Sequence, residues 1–162
     1  MHRRILLLAV LAFANVFADV ASAAMQSCLQ LSEKQQIEKH YNDAQGHPAV
    51  KLKDATHPVR GQIVLFTLQA TNTCADVVEP TVIEFTLPQG MAYVLGSADG
   101  RSFETTFSIN GKSYGKFEAL AVHDDGSARA ALAEDIKSIR WVSRQALAPN
   151  ASRTVRFRAT VL

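Results

Sequence analysis

The sequence predicts an all-β fold, an antiparallel sandwich of about seven to nine strands. Three observations predict it. Two apolar runs between Gly61 and Leu87 alternate with period two: Val64, Phe66, Leu68 and Ala70 share one parity, and Thr81, Ile83, Phe85 and Leu87 share another. The closing run alternates again, with Val155, Phe157, Ala159 and Val161 expected inward and Thr154, Arg156, Arg158 and Thr160 outward. Such alternation marks strands with one buried and one wet face. Turn residues also recur at roughly 8–12-residue spacing, which suits many short strands.

Taken in order, residues 1–23 have the form of a signal peptide. His2, Arg3 and Arg4 make a basic start, Ile5 to Ala18 an apolar centre, and Ala21-Ser22-Ala23 a small-residue cleavage site. Cleavage is expected between Ala23 and Ala24. The apolar run is shorter than the roughly 20 residues that a spanning helix needs, and Asp19 interrupts it. No membrane span or later anchor is expected after cleavage. Residues 24–35 are then an N-terminal arm or the first strand, and residues 36–162 the sandwich domain. A strand is expected to begin near Glu33. Ser32 with Gln35 resembles a capping box and offers a helical alternative for Ser32 to His40.

Asn42 to Gly46 is a turn, and Ala49 to Ala55 a returning strand with Val50 and Leu52 expected inward. Thr56-His57-Pro58 breaks it, because proline restricts its predecessor. Strands follow over Gln62–Asn72 and from Val77 or Thr81 to Leu87. Pro88 cannot donate to a ladder and Gly90 tolerates positive φ, so the second must stop there. Met91 to Ser97 is a short strand. Phe103 to Ile109 is expected to pair with Lys112 to Leu120 across Asn110-Gly111, a strong hairpin dipeptide. Asp124-Asp125-Gly126 is a turn, Ala130 to Asp135 a single helical turn, Ile136 to Val142 a strand and Arg144 to Asn150 a loop.

The order of several of these residues resembles the DUF11 conserved-repeat domain. Gly61, Val64, Phe66, Leu68 and Asn72 fit its Gly-x-x-Val-x-Phe-x-Leu strand ending in Thr-Asn. Leu87, Pro88, Gly90, Tyr93, Val94, Gly96 and Ser97 fit its Leu-Pro-x-Gly-x-x-Tyr-Val-x-Gly-Ser block. Ile139, Trp141, Leu147, Pro149, Ser152, Val155, Phe157 and Val161 fit its closing run. The resemblance covers roughly Gln36 to Leu162. Phe85 stands where that family usually has Asp, and Asn150 where it has Gly; Asn also tolerates the left-handed conformation. The resemblance implies an immunoglobulin-like β-sandwich on the outside of a bacterial cell, and implies no ligand.

The charge balance excludes some partners. The chain carries a formal charge of +2, which falls to +1 without residues 1–23. A near-neutral, mixed-sign surface gives no reason to expect nucleic acid. Cys28 and Cys74 are the two cysteines, and in an exported chain two cysteines suggest one disulfide. His40 and His47 flank the Asn42–Gly46 turn and, with Asp43, are candidate transition-metal ligands. Asp124 and Asp125 resemble part of a calcium loop, but the alternating oxygen ligands and later Glu are missing. The bland alternative for both is an exposed turn.

No nucleophile motif such as Gly-x-Ser-x-Gly occurs, and neither cysteine has a neighbouring histidine. Lys51 or Lys53 could supply the amine of an isopeptide bond, but the last strand has no Asn to accept it. Arg156 and Arg158, with Arg153 and Arg140, suggest a basic stripe. The expectation is therefore an exported, non-enzymatic module of the cell envelope, periplasmic or at the cell surface. It would have no cofactor, and another envelope protein or surface polymer as partner. The alternative is a periplasmic small-ligand or metal-binding protein.

Overall fold

The computed structural model describes residues 28–124 and 126–162. The expected signal peptide, its Ala23/Ala24 cleavage site and Asp125 lie outside them. The described chain forms ten strands: β1 (Leu29–Asn42), β2 (Pro48–Asp54), β3 (Ile63–Asn72), β4 (Thr81–Thr86), β5 (Met91–Tyr93), β6 (Glu104–Ser108), β7 (Ala121–Asp124), β8 (Ser127–Ala130), β9 (Ser138–Ser143) and β10 (Ser152–Val161). Eight of them make the two layers of a sandwich. One sheet has the order β2-β1-β3-β10-β5 and the other β4-β9-β6, while β7 and β8 form a separate ribbon. All pairings are antiparallel.

The period-two runs supply the core. Val64, Phe66 and Leu68 from β3 lie beside Val155, Phe157 and Ala159 from β10, all buried. Ile83, Ile139 and Trp141 meet them from the opposite sheet. The Phe66 and Phe157 rings stack with centroids 4.7 Å apart, and Trp141 tilts against Phe157 at 5.9 Å. Each fully buried large side chain contributes about 1.5–3 kcal/mol relative to exposure. Asn150 takes a left-handed φ of 61°, so the turn before β10 forms with Asn in the glycine position.

Cys28 and Cys74 form a disulfide. It ties the start of β1 to the loop after β3, where the Thr73 N–H also donates to the Cys28 carbonyl at 2.9 Å. Asn72 organises the same loop from inside. Its side-chain amide donates to the carbonyls of Asp76 and Leu147, and its Oδ1 accepts from the Cys74 N–H.

Three expectations are corrected. The first strand begins at Leu29, not near Glu33, because Leu29 to Gln35 already pair with β3; no helix forms over Ser32 to His40. Lys112 to Leu120 does not form a hairpin strand. The Asn110 carboxamide accepts from the Lys112 and Ser113 N–H groups, and Ser108 Oγ accepts from those of Asn110 and Gly111. These local side-chain bonds compete with a tight two-residue turn. The chain loops instead, pairs its backbone with β6 at the isolated Phe107–Gly115 bridge, and makes a 3-10 turn at Phe117–Ala119. Val50 and Leu52 do not face the core. They are 53% and 43% exposed.

The reason for the last correction is register: Val50 and Leu52 stand opposite His40 and Glu38, on the face turned away from the core, and the layers are also unequal in length. β3 pairs with β1 only from Leu29 to Ile37, whereas β2 pairs with it from Gln36 to Asn42. Beyond Ile37, β1 and β2 therefore project past the sandwich as a two-stranded arm. Even beside β3 the cover is thin: Leu31 sits opposite buried Ala70, on the same face, yet is 47% exposed.

Candidate interaction surface

The arm is closed by a tight turn and held to the sandwich by ion pairs on one face. Asp43 Oδ1 accepts from the N–H groups of Gln45 and His47, at 2.9 and 2.8 Å. Gly46, at φ 83°, completes the reversal. Register pairing puts Gln36, Glu38 and His40 on one face with Asp54, Leu52 and Val50. On that face Arg158 of β10 donates to Glu38 from Nε at 2.8 Å, and its Nη2 lies 2.7 Å from the same oxygen. Lys34 lies 3.9 Å from Asp54. The acids of this face are thus matched by cations.

The other face is different. It carries the cross-strand pairs Ile37–Lys53, Lys39–Lys51 and Tyr41–Ala49, with no acid among the six. Among the described residues none of the three lysines forms an ion pair. Lys39 stands directly opposite Lys51, an arrangement that disfavours the hairpin. Tyr41 is half exposed. The nearest acid on this face, Glu33, lies back where β1 still runs beside β3, and it accepts from the Gln35 side chain.

β2 also offers a bare edge. Ala55 N–H donates to the Gln35 carbonyl and Asp43 N–H to the His47 carbonyl. The odd-numbered residues of β2 therefore bond to β1. By alternation, Val50, Leu52 and Asp54 direct their N–H and C=O groups outward, and no described strand pairs with them.

The candidate metal residues are not gathered by this geometry. His40 faces Val50 across the ladder, while His47 sits beyond the last pair with Nδ1 at 3.5 Å from Asp43. Asp43 spends its other oxygen on the turn. Asp124 ends β7, opposite Ser127, and Asp125 lies outside the described residues. Among the described residues no group of three or more His, Cys, Asp or Glu could hold a metal ion. Lys51 and Lys53 sit on the arm, and Asn72 is buried at the other end of β3, bonded as described.

The basic stripe divides. Arg158 is committed to Glu38, while Arg140 lies on the other sheet, bonded to Glu84. Arg153 donates to the Gln145 side chain and the Ala146 carbonyl. Arg101, Arg153 and Arg156 do line a shallow cavity of about 350 Å³, together with Asp99. The Arg140 guanidinium lies 3.6 Å from the Tyr114 ring centre, and the Tyr114 hydroxyl donates to Glu84. Burial, and then that carboxylate, raise the Tyr114 pKa. Asp135 is displaced the other way, to about 2, first by two bonds from Arg129 and then by the Leu132 N–H. Both shifts serve local structure: one pins the 109–116 loop to the sheet, the other closes the 3-10 turn after β8.

Sequence reading missed Lys39, Lys51 and Lys53 as a group. The available signal was the alternation of Lys51 and Lys53 with Val50 and Leu52, which showed two faces without showing which one was covered.

Fold and surface together define a disulfide-linked β-sandwich with a projecting, charge-sorted hairpin arm. Among the described residues no helix is long and apolar enough to cross a membrane. No family model, curated protein or solved structure matches the chain.

Proposed function

We propose that this is an exported, non-enzymatic protein of the bacterial cell envelope, a structural or protein-interaction module and a short single-domain relative of the DUF11 group. The immunoglobulin-like strand arrangement implied by that resemblance belongs to the same reading. The projecting arm carries the proposal. Two strands without a covering layer are marginal on their own in water, and this arm exposes Tyr41, Val50 and Leu52 together with an unpaired edge. Such a feature is suited to completion by a partner. The Cys28–Cys74 disulfide supports export, because such bonds persist in oxidising compartments. Tyr114 held protonated and Asp135 held ionised are displaced away from neutral pH, which suits structure better than acid–base catalysis.

The test is cross-linking of the exported protein in intact cells, followed by mass spectrometry of the captured species. One dominant envelope protein is expected. Capture of no specific protein would overturn the reading.

A further inference from the structure

We infer that β2 is an acceptor edge for an extended segment of another protein whose side chains alternate acidic and apolar. The inference rests on the interaction-module reading and specifies its partner and mode.

The backbone argument comes first. Val50, Leu52 and Asp54 present their N–H and C=O groups at the free side of β2, as the parity of the β1 bonds requires. An added antiparallel or parallel strand would bond to these groups, and the arm would become three-stranded. Added strands draw affinity from the main chain and specificity from alternate side chains.

The side chains then fix what the guest must carry. Lys51 and Lys53 point to one face of the edge, and Lys39 stands behind Lys51. No acid shares that part of the face. A guest strand lying along β2 places every second side chain beside these lysines, so acidic residues there would relieve the repulsion. Its intervening side chains would lie beside Val50 and Leu52, both largely exposed. The guest pattern is acidic, apolar, acidic, apolar.

A second copy of this chain is disfavoured as the guest. Two β2 edges related by a two-fold axis overlap most when centred on Lys51 or on Leu52. Centring on Lys51 sets Lys51 against itself; centring on Leu52 sets Lys51 against Lys53. Both registers juxtapose like charges. Lysines on an edge strand commonly deter self-pairing. Here they deter the self and favour a partner of opposite charge, which is how specificity by repulsion works.

The experiment uses the exported chain and three fluorescent, end-blocked heptapeptides: one alternating Glu and Val, one alternating Lys and Val, and one with the Glu/Val composition reordered so that the acids are adjacent. Binding is read by anisotropy at low and at high salt. The alternating Glu/Val peptide is expected to bind, less tightly as salt rises, and to perturb the backbone amides of Val50, Leu52 and Asp54 in NMR spectra. Lys51→Glu with Lys53→Glu should weaken it by about tenfold or more and transfer preference to the Lys/Val peptide. Val50→Pro removes one outward donor without touching a β1 bond, and should weaken binding while leaving the thermal midpoint nearly unchanged. If Val50→Pro disturbs the fold, the reordered peptide still decides, because it carries the same charge and only strand addition requires the acids to alternate. Equal binding of the reordered peptide, or binding indifferent to Val50→Pro in a folded variant, would overturn strand addition in favour of plain charge attraction. No binding of the alternating peptide, with cellular cross-links mapped to another surface, would overturn this inference and leave the interaction-module reading standing.

Discussion

Replacing both cysteines, Cys28→Ser with Cys74→Ser, should cost this protein about 4 kcal/mol. The figure follows from the 46-residue separation between the linked positions. On the chain-entropy relation, a closed loop of that size lowers the entropy of the unfolded chain by roughly 13 cal/mol/K, which is about 4 kcal/mol at 25 °C. Serine suits the exchange because both cysteines are partly exposed, so little packing is lost. The Thr73 N–H and hydroxyl would still reach the Cys28-position carbonyl, which keeps the folded state close to its present form. The assay is urea unfolding of the exported chain followed by Trp141 fluorescence, since Trp141 is wholly buried. With a slope of roughly 2 kcal/mol/M, the midpoint should fall by about 2 M. The unlinked protein should match wild type measured under reducing conditions. A loss below about 1 kcal/mol would refute the reasoning: the link would then not restrict the unfolded ensemble, and β1 would owe its position to its ladder with β3 alone.

Other outcomes follow from the same geometry. Phe157→Ala empties the stack between Phe66 and Trp141 and should lower stability by about 3–5 kcal/mol in the same denaturation assay. Gly100→Ala places a methyl 3.0 Å from both Trp141 Cδ1 and Val155 Cγ1, an overpacking expected to cost about 1–3 kcal/mol. Lys51→Glu, by contrast, should raise stability by about 0.2–1 kcal/mol, because it turns the opposed Lys39–Lys51 pair into an attractive one; the gain should shrink in high salt. Asp135 titrates near 2 in the folded chain against an ordinary 3.8. A depressed folded pKa stabilises above the unfolded value, so its contribution is complete above about pH 4 and is lost as pH falls toward 2. Solvent screening holds it below about 1 kcal/mol. Asp135→Asn should remove that part of the acid slope in unfolding measurements across this window.

The sandwich was legible where period two coincided with a covering layer. β3, β4 and β10 each bury the parity that their sequence marks, because a second sheet lies across them. Asn110-Gly111 misled because the Ser108 and Asn110 side chains captured neighbouring N–H groups and opened the turn. β1 began earlier than its polar sequence suggested because β3 and the disulfide supply its partners from Leu29 onward. None of those partners is local in sequence.

The arm shows the limit most clearly. Val50 and Leu52 alternate with Lys51 and Lys53, and on a sheet with one covered face the apolar pair would belong inside. Alternation fixes which residues share a face. It does not fix whether anything lies against that face. In this fold the β1–β3 ladder ends at Ile37, whose partner Val64 is buried, and Ile37 shares its face with Lys39, Lys51 and Lys53. The lysines therefore occupy the side continuous with the core face, and the apolar pair the other. An ordinary wet hairpin would be expected to cross-pair its charges, as Glu38 with Arg158 and Lys34 with Asp54 do on the opposite face. Leaving three lysines without an acid lowers the arm's stability when the protein is alone. Lys51→Glu tests that cost in the free protein, and the peptide series tests what offsets it. A stabilising Lys51→Glu that also abolishes recognition of the acidic strand would tie the unfavourable pair to binding.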